Sequence, residues 1–368
     1  MKKILSLILF LALMCLAASA LADEVILNAE VVPAGPTVAS ITIKADAVAP
    51  STVKAKFTVE QTVTRGRGAN ATTEIVPLTV YSATWEADGS VTLATDSFSP
   101  KSVFAVTYAI PATDEAEAQV LGVWTQEDVT AVKYAVIDDF ILDTYTGSYQ
   151  DAEGKDVELS IVYRLYIPAQ TENVPLVVTM HGSGESGSDG QAHVTSNQLS
   201  QCWADPAWQA GHPCFVFAPQ WPNSDVSNDL ELRDSYLNVY HDMLAEIIAK
   251  YQPSKTYLAT LSMGSRLGFR YLTLYPGEFD AALMCCGAMQ NADLSAVTEK
   301  PIWLVHAVSD FVNASQNSMD AYNQLIAAGN PNVHLTIMTD EGMNGVFSHA
   351  VWQFTFGNDL YMNWLFAQ

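Results

Sequence analysis

Short segments of uninterrupted hydrophobicity in the second half of the chain constrain its fold more than any other feature. We predict strands there at residues 157–167, 176–181, 215–219, 257–261, 281–286, 302–306 and 333–338. Residues 235–251, 265–275 and 315–328 lie between these strands and are predicted to be helical. Strands that are apolar throughout are covered on both faces, as in a mostly parallel sheet of βαβ units. We therefore predict an α/β fold with this sheet in residues 147–368.

The first half of the chain has a different pattern. Residues 40–44, 53–63, 75–81 and 103–110 are rich in β-branched residues and roughly alternate, with turn-forming residues between them. This pattern is typical of a small antiparallel β-sandwich, which we predict for residues 23–140. No histidine occurs in this half, and we assign no chemistry to it. Whether it forms a homo-oligomer contact or shades a site elsewhere stays open.

The N-terminus predicts export. Lys2 and Lys3 precede an apolar run at residues 4–18, and small residues at Ala20 and Ala22 follow. This order is that of a signal peptide over residues 1–22, with cleavage before Asp23. No later apolar run reaches the roughly 20 residues needed to cross a bilayer, so we expect no membrane association after cleavage. The expected location is secreted, periplasmic or cell-surface.

Charge and motif content exclude several classes of function. The formal net charge is -23, whereas a nucleic-acid-binding protein needs a basic surface for the phosphates. The metal pattern H-E-x-x-H, acidic calcium loops and G-x-G-x-x-G after a strand are all absent. We therefore expect no metal and no cofactor. Cys202 and Cys214 are either a disulfide or two buried thiols, whereas Cys285 and Cys286 are interpreted as small core residues.

Residues capable of chemistry follow four of the predicted strands. A glycine-rich loop at 182–187 follows the second strand, Ser262 follows the fourth, Asp310 the sixth, and His349 comes after the last. Ligands in parallel sheets bind beyond the carboxyl ends of the strands. A serine becomes nucleophilic when an imidazole removes its proton, and an acid fixes the imidazole tautomer. A sharp strand–turn–helix bend would expose the serine at the positive end of a helix.

These phrases carry a resemblance to a known family. The matching residues are 175–185, 218–220, 261–264, and 301–306 with Asp310 and His349. Residues 147–368 resemble the α/β-hydrolase esterases of the carboxylesterase/phospholipase, feruloyl-esterase and polyhydroxyalkanoate-depolymerase groups. An exported β-sandwich ahead of them resembles the immunoglobulin-like domain of some bacterial esterases.

The resemblance implies roles for individual residues. Ser262 would be the nucleophile, His349 the base and Asp310 the orienting acid, and the backbone N–H groups of Ser183 and Met263 would form the oxyanion hole. Trp221 and Gln220, which follow one strand, are predicted to contact the substrate. Packing in the core is the alternative for Trp221, and Trp203 and Trp208 are likewise assigned either to a pocket wall or to packing.

Alternative residues exist for two of these roles. His306 and His334 lie on apolar strands and His181 in a loop, so we interpret all three as structural. Asp340 and Glu341 follow the last strand and compete with Asp310 for the role of the acid.

The sequence departs from the family pattern at three positions. Thr260 replaces the first glycine of G-x-S-x-G, and Ser265 and Ala307 stand where glycine is frequent. Thr260 matters most, because a residue larger than glycine can crowd the bend. Some active hydrolases tolerate alanine or serine there, so whether Thr260 impairs the bend stays open.

The sequence thus predicts an exported serine hydrolase of short acyl, acetyl or feruloyl esters, acting on a small-molecule or polysaccharide-linked ester. The alternatives are a serine peptidase of the prolyl-oligopeptidase type and a non-catalytic carbohydrate- or surface-binding protein.

Overall fold

The computed structural model describes residues 23–48, 55–66, 71–227, 229–289 and 293–368. The predicted signal peptide at 1–22 and residues 53–54 of one predicted strand lie outside these ranges. The described chain divides into two units. The first holds the described residues up to Glu30 and Pro36–Ala135, and the second holds Val31–Gly35 and Val136–Gln368. No helix of the described ranges is long and apolar enough to cross a bilayer.

The first unit consists of two β-sheets. Its strands are β1 (Glu24–Val32), β2 (Gly35–Lys44), β3 (Lys56–Arg65), β4 (Thr72–Leu78), β5 (Val80–Trp85), β6 (Val91–Phe98), β7 (Val103–Ile110), β8 (Gln119–Thr125) and β9 (Val129–Tyr134). One sheet has the order β5-β6-β2-β1-β9 and the other β4-β3-β7-β8. Phe98 of the first sheet contacts Phe104 of the second, with ring centroids 5.4 Å apart. The two sheets therefore form a sandwich with a shared core.

Two details of this unit differ from the sequence prediction. The strand predicted at 75–81 is two strands, because the chain leaves one sheet after Leu78 and enters the other at Val80. Thr79 lies between them and is held by Asp96, whose carboxylate accepts a hydrogen bond from the Thr79 N–H at 2.7 Å. The sandwich is also not wholly antiparallel, since β1 pairs with β9 in parallel.

The second unit is built on one eight-stranded sheet. Its strands are β10 (Ile141–Gln150), β11 (Asp156–Tyr166), β12 (Leu176–Met180), β13 (Phe215–Pro219), β14 (Thr256–Leu261), β15 (Ala281–Cys285), β16 (Ile302–Ala307) and β17 (Val333–Met338). Their order is β10-β11-β13-β12-β14-β15-β16-β17. The strands from β13 to β17 in this order run parallel, whereas β10 and β11 are antiparallel. Every residue of β12, β13, β14 and β15 is buried, as the continuous hydrophobicity predicts.

The helices of this unit are α1 (Ala192–Thr195), α2 (Gln201–Ala204), α3 (Pro206–Gly211), α4 (Leu230–Tyr251), α5 (Met263–Leu274), α6 (Gln316–Ala327) and α7 (Asp359–Phe366). Helix α4 begins five residues before the predicted start at 235. The reason is a side-chain cap, because the Asp229 carboxylate accepts hydrogen bonds from the N–H groups of Glu231 and Leu232. Helix α5 begins directly after the residue that follows β14, which produces the sharp bend at Ser262.

The cysteine-flanked loop is part of the core. Cys202 and Cys214 are buried and not bonded to each other, so the disulfide alternative is not found. Trp203 is fully buried and Trp208 nearly so, and both rings pack against Phe366 of α7. Both tryptophans therefore pack in the core against α7.

Candidate active site

Ser262 occupies a strained bend between β14 and α5. Its backbone has φ +50° and ψ -116°, a combination that costs a residue with a side chain about 1–3 kcal/mol. The Ser262 N–H donates to the carbonyl of Cys285 on the neighbouring strand at 3.0 Å, which holds the bend in place. Strain of this kind persists where the surrounding structure over-determines it, and it presents the side chain at the carboxyl edge of the sheet.

Gly264 allows helix α5 to meet the sheet at this bend. A Cβ atom at this position would lie 1.9 Å from the carbonyl oxygen of Met180 at the end of β12. Only glycine fits such a close backbone approach. Packing of α5 against the end of β12 therefore requires a glycine at position 264, two residues after Ser262.

Ser262, His349 and Asp310 form a continuous hydrogen-bonded chain. The distance from Ser262 Oγ to His349 Nε2 is 2.8 Å, and from His349 Nδ1 to Asp310 Oδ2 it is 2.7 Å. Because a carboxylate accepts, His349 Nδ1 carries the proton and Nε2 is left to accept the serine hydroxyl. The three residues follow three different strands, β14, β16 and β17, and the structure brings them together as the sequence predicts.

Asp310 is held as a buried carboxylate. Its Oδ1 accepts hydrogen bonds from the backbone N–H groups of Val312 and Asn313, at 2.9 and 3.0 Å. Burial alone would raise the pKa of Asp310, but hydrogen bonds from His306, His349 and the Asn313 backbone outweigh burial and hold its pKa well below the usual range. The acid therefore stays ionised while it orients His349.

His306 is a contact of Asp310 that the sequence analysis undervalued. Its Nε2 lies 3.2 Å from Asp310 Oδ2 and 2.9 Å from the carbonyl oxygen of Asn313, and its Nδ1 is 2.7 Å from Ser318 Oγ. A carbonyl only accepts, so Nε2 carries the proton and faces the carboxylate. The spacing of four residues between His306 and Asp310 across the end of β16 was the available signal. Asp340, the rival candidate for the role of the acid, is exposed and accepts a hydrogen bond from Ser309 Oγ at 2.9 Å.

The glycine-rich loop is fixed beside the bend by buried polar groups. The Gly182 N–H donates to Glu185 Oε2 at 2.8 Å, and Asn197 Nδ2 donates to Glu185 Oε1 at 2.5 Å. Burial raises the pKa of Glu185 to about 8, against the opposing effect of these two hydrogen bonds. A Cβ at Gly182 would lie 3.6 Å from Ser262 Cβ, so the loop abuts the nucleophile position.

Two backbone donors near Ser262 are unused. Neither the N–H of Ser183 nor that of Met263 makes a hydrogen bond to another of the described residues. Met263 is the first residue of α5, where the first N–H groups have no partner within the helix. These two groups are free to stabilise an oxyanion, the role that the sequence analysis assigns to them.

His181 braces the loop, as predicted. The Trp221 N–H donates to His181 Nε2 at 2.8 Å, so Nδ1 carries the proton and donates to the Gly182 carbonyl at 2.7 Å. Burial lowers the pKa of His181 to about 4, which keeps the ring neutral.

The prediction that Gln220 and Trp221 contact the substrate is corrected by their burial. Both side chains are fully buried. Gln220 Nε2 donates to Glu185 O and Asp189 Oδ1, and its Oε1 accepts from Gly190 N–H. Trp221 stacks on Tyr240 with centroids 5.0 Å apart. Gln220 therefore orders the loop, and Trp221 is a core residue.

Thr260 is accommodated beside the bend. Its hydroxyl lies 2.7 Å from Ser265 Oγ, and Ser265 Oγ donates to the Cys285 carbonyl at 2.7 Å. Thr260 therefore donates to Ser265, so two of the three departures from the family pattern are hydrogen-bond partners. A Cβ at Gly287 would lie 2.4 Å from Ser265 Cβ, so the glycine there makes room for Ser265.

Comparison with known proteins identifies the fold. No protein-family model and no curated protein sequence matches the chain. A solved structure described as a thermostable esterase superposes with a TM-score of 0.70 at 23% identity, covering 94% of this chain and 99% of its own.

Two further solved structures are much less similar. The first is Est1E from Butyrivibrio proteoclasticus, with a TM-score of 0.40 at 12% identity, covering 61% of this chain and 99% of its own. The second is siderophore hydrolase EstA from Aspergillus nidulans, with a TM-score of 0.41 at 14% identity, covering 60% of this chain and 95% of its own. These two likenesses are too weak to carry an argument. The sheet order and the first superposition together show that the second unit has the α/β-hydrolase fold, preceded along the chain by a two-sheet β-sandwich.

Proposed function

We propose that this protein is a carboxylic ester hydrolase that forms an acyl-enzyme on Ser262. The observation that carries the proposal is the hydrogen-bonded chain from Ser262 Oγ through His349 to Asp310, at 2.8 and 2.7 Å. The two unused backbone N–H groups beside it support the same chemistry, because acyl transfer develops negative charge on the carbonyl oxygen.

The proposed reaction has two steps. His349 Nε2 takes the proton of Ser262 while Oγ attacks the ester carbonyl carbon, and the N–H groups of Ser183 and Met263 stabilise the oxyanion. The bond from carbon to the alcohol oxygen then breaks, and His349 gives its proton to that oxygen. In the second step His349 deprotonates water as the water oxygen attacks the acyl carbon; the bond from that carbon to Ser262 Oγ then breaks, and His349 returns the proton to Oγ. Asp310 remains a carboxylate throughout and stabilises the imidazolium.

The proposed substrates are short acyl, acetyl or feruloyl esters, free or linked to a polysaccharide. Purified protein is tested on p-nitrophenyl esters of graded acyl length and on matched amides. We expect hydrolysis of esters well above amides, and loss of about 10³-fold or more in kcat for Ser262→Ala. Ser295→Ala, at an exposed serine in the same unit, is the matched control and should retain full activity. No hydrolysis of any ester, together with retained binding to a glycan, would support the non-catalytic alternative.

We also propose export with cleavage before Asp23, on the sequence pattern of residues 1–22. Mass spectrometry of the protein from the medium or periplasm of an expressing culture tests this proposal. A mature chain that starts at Asp23 is expected, and a cell-associated chain that retains Lys2 and Lys3 would contradict it.

A further inference from the structure

The two loops that carry Asp310 and His349 expose large apolar side chains. Phe311 is 77% exposed and Phe347 is 50% exposed, and Val308 and Val312 are also exposed. Apolar side chains scattered singly over a surface need no explanation, whereas a group of them beside a reactive site marks a binding surface. We refer to Phe311 and Phe347 as the aromatic pair.

The aromatic pair is close to the catalytic imidazole. Phe311 directly follows Asp310, and Phe347 is two residues before His349. The two phenyl rings meet edge to face with centroids 5.3 Å apart, and the Phe347 centroid is 6.2 Å from that of His349. The pair therefore extends outward from the side of the site on which the base lies.

The loops beneath the pair are joined to each other. Ser348 Oγ donates to the carbonyl of Ser309 at 2.9 Å, and Ser309 Oγ donates to Asp340 Oδ2 at 2.9 Å. Each bond links the loop after β16 to the loop after β17. The pair thus sits on a fixed base, which lowers the entropy cost of binding a ligand there.

The chemistry of the proposed reaction decides which part of an ester meets this pair. His349 must lie next to the alcohol oxygen in order to protonate it as the carbon–oxygen bond breaks. The acyl part remains attached to Ser262, with its oxyanion directed at Ser183 and Met263. The leaving alcohol therefore lies on the His349 side, where the aromatic pair is exposed.

We propose that Phe311 and Phe347 bind the alcohol part of the substrate and select apolar or aromatic alcohols. This inference rests on the proposed function. Asp340 and Glu341 are exposed near the end of β17, and the chain carries a formal charge of -23. An anionic alcohol would therefore be repelled, which leaves uncharged apolar groups as the fitting class.

Two ester series test this assignment. The first keeps the acetyl group and varies the alcohol from ethyl to butyl to benzyl, and the second keeps ethanol and lengthens the acyl chain. All acetyl esters share one acyl-enzyme, so their deacylation is the same and differences arise in acylation alone. The variants are Phe311→Ala, Phe347→Ala and the conservative Phe311→Leu. Leu360→Ala, which truncates a 61% exposed leucine on α7, is the control.

We expect kcat/KM of the wild type to rise from ethyl to benzyl acetate. Each alanine variant should lose about 3- to 10-fold on benzyl acetate, the range of one aromatic contact, and less than about 2-fold on ethyl acetate. Phe311→Leu should retain most of the selectivity, and Leu360→Ala should match the wild type. Equal losses on both acetates, no loss on either, or losses that follow the acyl series would overturn the assignment.

Failure of the proposed function gives a different result. In that case the wild type hydrolyses neither series, and Ser262→Ala is no different from it. The folding of each variant is checked by its thermal unfolding midpoint, which should change little because Phe311 is largely exposed and Phe347 is half exposed.

Discussion

Thr260 and Ser265, which flank Ser262 in the chain, are fully buried and joined by hydrogen bonds to the end of β15. By contrast, Phe311 and Phe347 extend into solvent from the loops that carry Asp310 and His349. The difference follows from what each region does in the proposed reaction. Stabilising an oxyanion requires donors that do not move, and these need a packed surround. Binding an apolar alcohol group requires exposed apolar side chains, from which the alcohol displaces water.

We predict that replacing the acid of the triad removes most activity but leaves the protein folded. Asp310→Asn preserves shape but presents an amide to His349 Nδ1, which favours the wrong imidazole tautomer. We expect kcat to fall about 10⁴-fold, as for loss of the acid charge in other triads. The thermal unfolding midpoint should show that the variant is still fully folded at the assay temperature. Steady-state kinetics with p-nitrophenyl acetate and a melting curve measure the two effects, and Asp340→Asn is the control that should retain activity.

A substitution in the buried region near Ser262 should act by lowering the free energy of unfolding. Gly264→Ala places a methyl group against the Met180 carbonyl, where a Cβ would be 1.9 Å from the oxygen. We expect a loss of about 3 kcal/mol or more in the free energy of unfolding, at the upper end for overpacking. Gly268→Ala in the same helix is the control, because its nearest neighbour would be the flexible end of Met284 at 3.1 Å. A stable, fully active Gly264→Ala protein would contradict the close approach described here.

His306 lies between these two extremes, buried yet in contact with the acid. His306→Leu removes the N–H that faces Asp310, and one hydrogen bond to a charged group is worth about 1.5–3 kcal/mol, or about 10- to 100-fold in kcat. His306→Gln retains an N–H donor and should recover part of the loss. Ser318→Ala, which removes only the bond to His306 Nδ1, should have a smaller effect.

The pH dependence of stability separates positioning from packing at His306. The pKa of Asp310 is lowered in the fold, so its contribution to stability is present above the unfolded pKa and is lost as the pH falls toward the folded pKa. Loss of the His306 donor raises the folded pKa toward the unfolded value, so the stability lost between neutral and acid pH should be smaller in His306→Leu than in His306→Gln, which retains a donor. An equal loss of stability on acidification in the two variants would show that His306 only fills space.

The smallest predicted effect concerns the pair that replaces two glycines of the family pattern. Thr260→Val removes the hydroxyl that donates to Ser265 and should cost about 1 kcal/mol in stability. The Ser265→Ala and Thr260→Val changes should be non-additive, with a coupling of at least about 0.5 kcal/mol. Denaturant unfolding of the two single variants and the double variant measures this coupling, and strict additivity would show that the two hydroxyl groups act independently.

The sequence predicted the parts of this molecule that obey simple periodicity and failed where side chains override it. The fully buried strands β12 to β15 and the bend at Ser262 follow directly from continuous hydrophobicity and a serine–glycine spacing. The contact between His306 and Asp310 was missed because His306 was interpreted as part of an apolar strand, although its spacing of four residues from Asp310 was a signal. Gln220 and Trp221 were misassigned because the sequence places a residue after a strand but does not say whether a loop encloses it. The hydrogen bond between Thr260 and Ser265 needed the geometry of the bend, which turns two departures from a pattern into partners.

The central claim is that Ser262 is activated by His349, and covalent labelling tests it most directly. A fluorophosphonate reacts with a serine that an adjacent general base activates and leaves ordinary serine hydroxyl groups unlabelled. We expect the wild type to be labelled at Ser262 alone, as located by peptide mass spectrometry, and His349→Ala and Ser262→Ala to remain unlabelled. An unlabelled wild type, or equal labelling of Ser262 in wild type and His349→Ala, would contradict it.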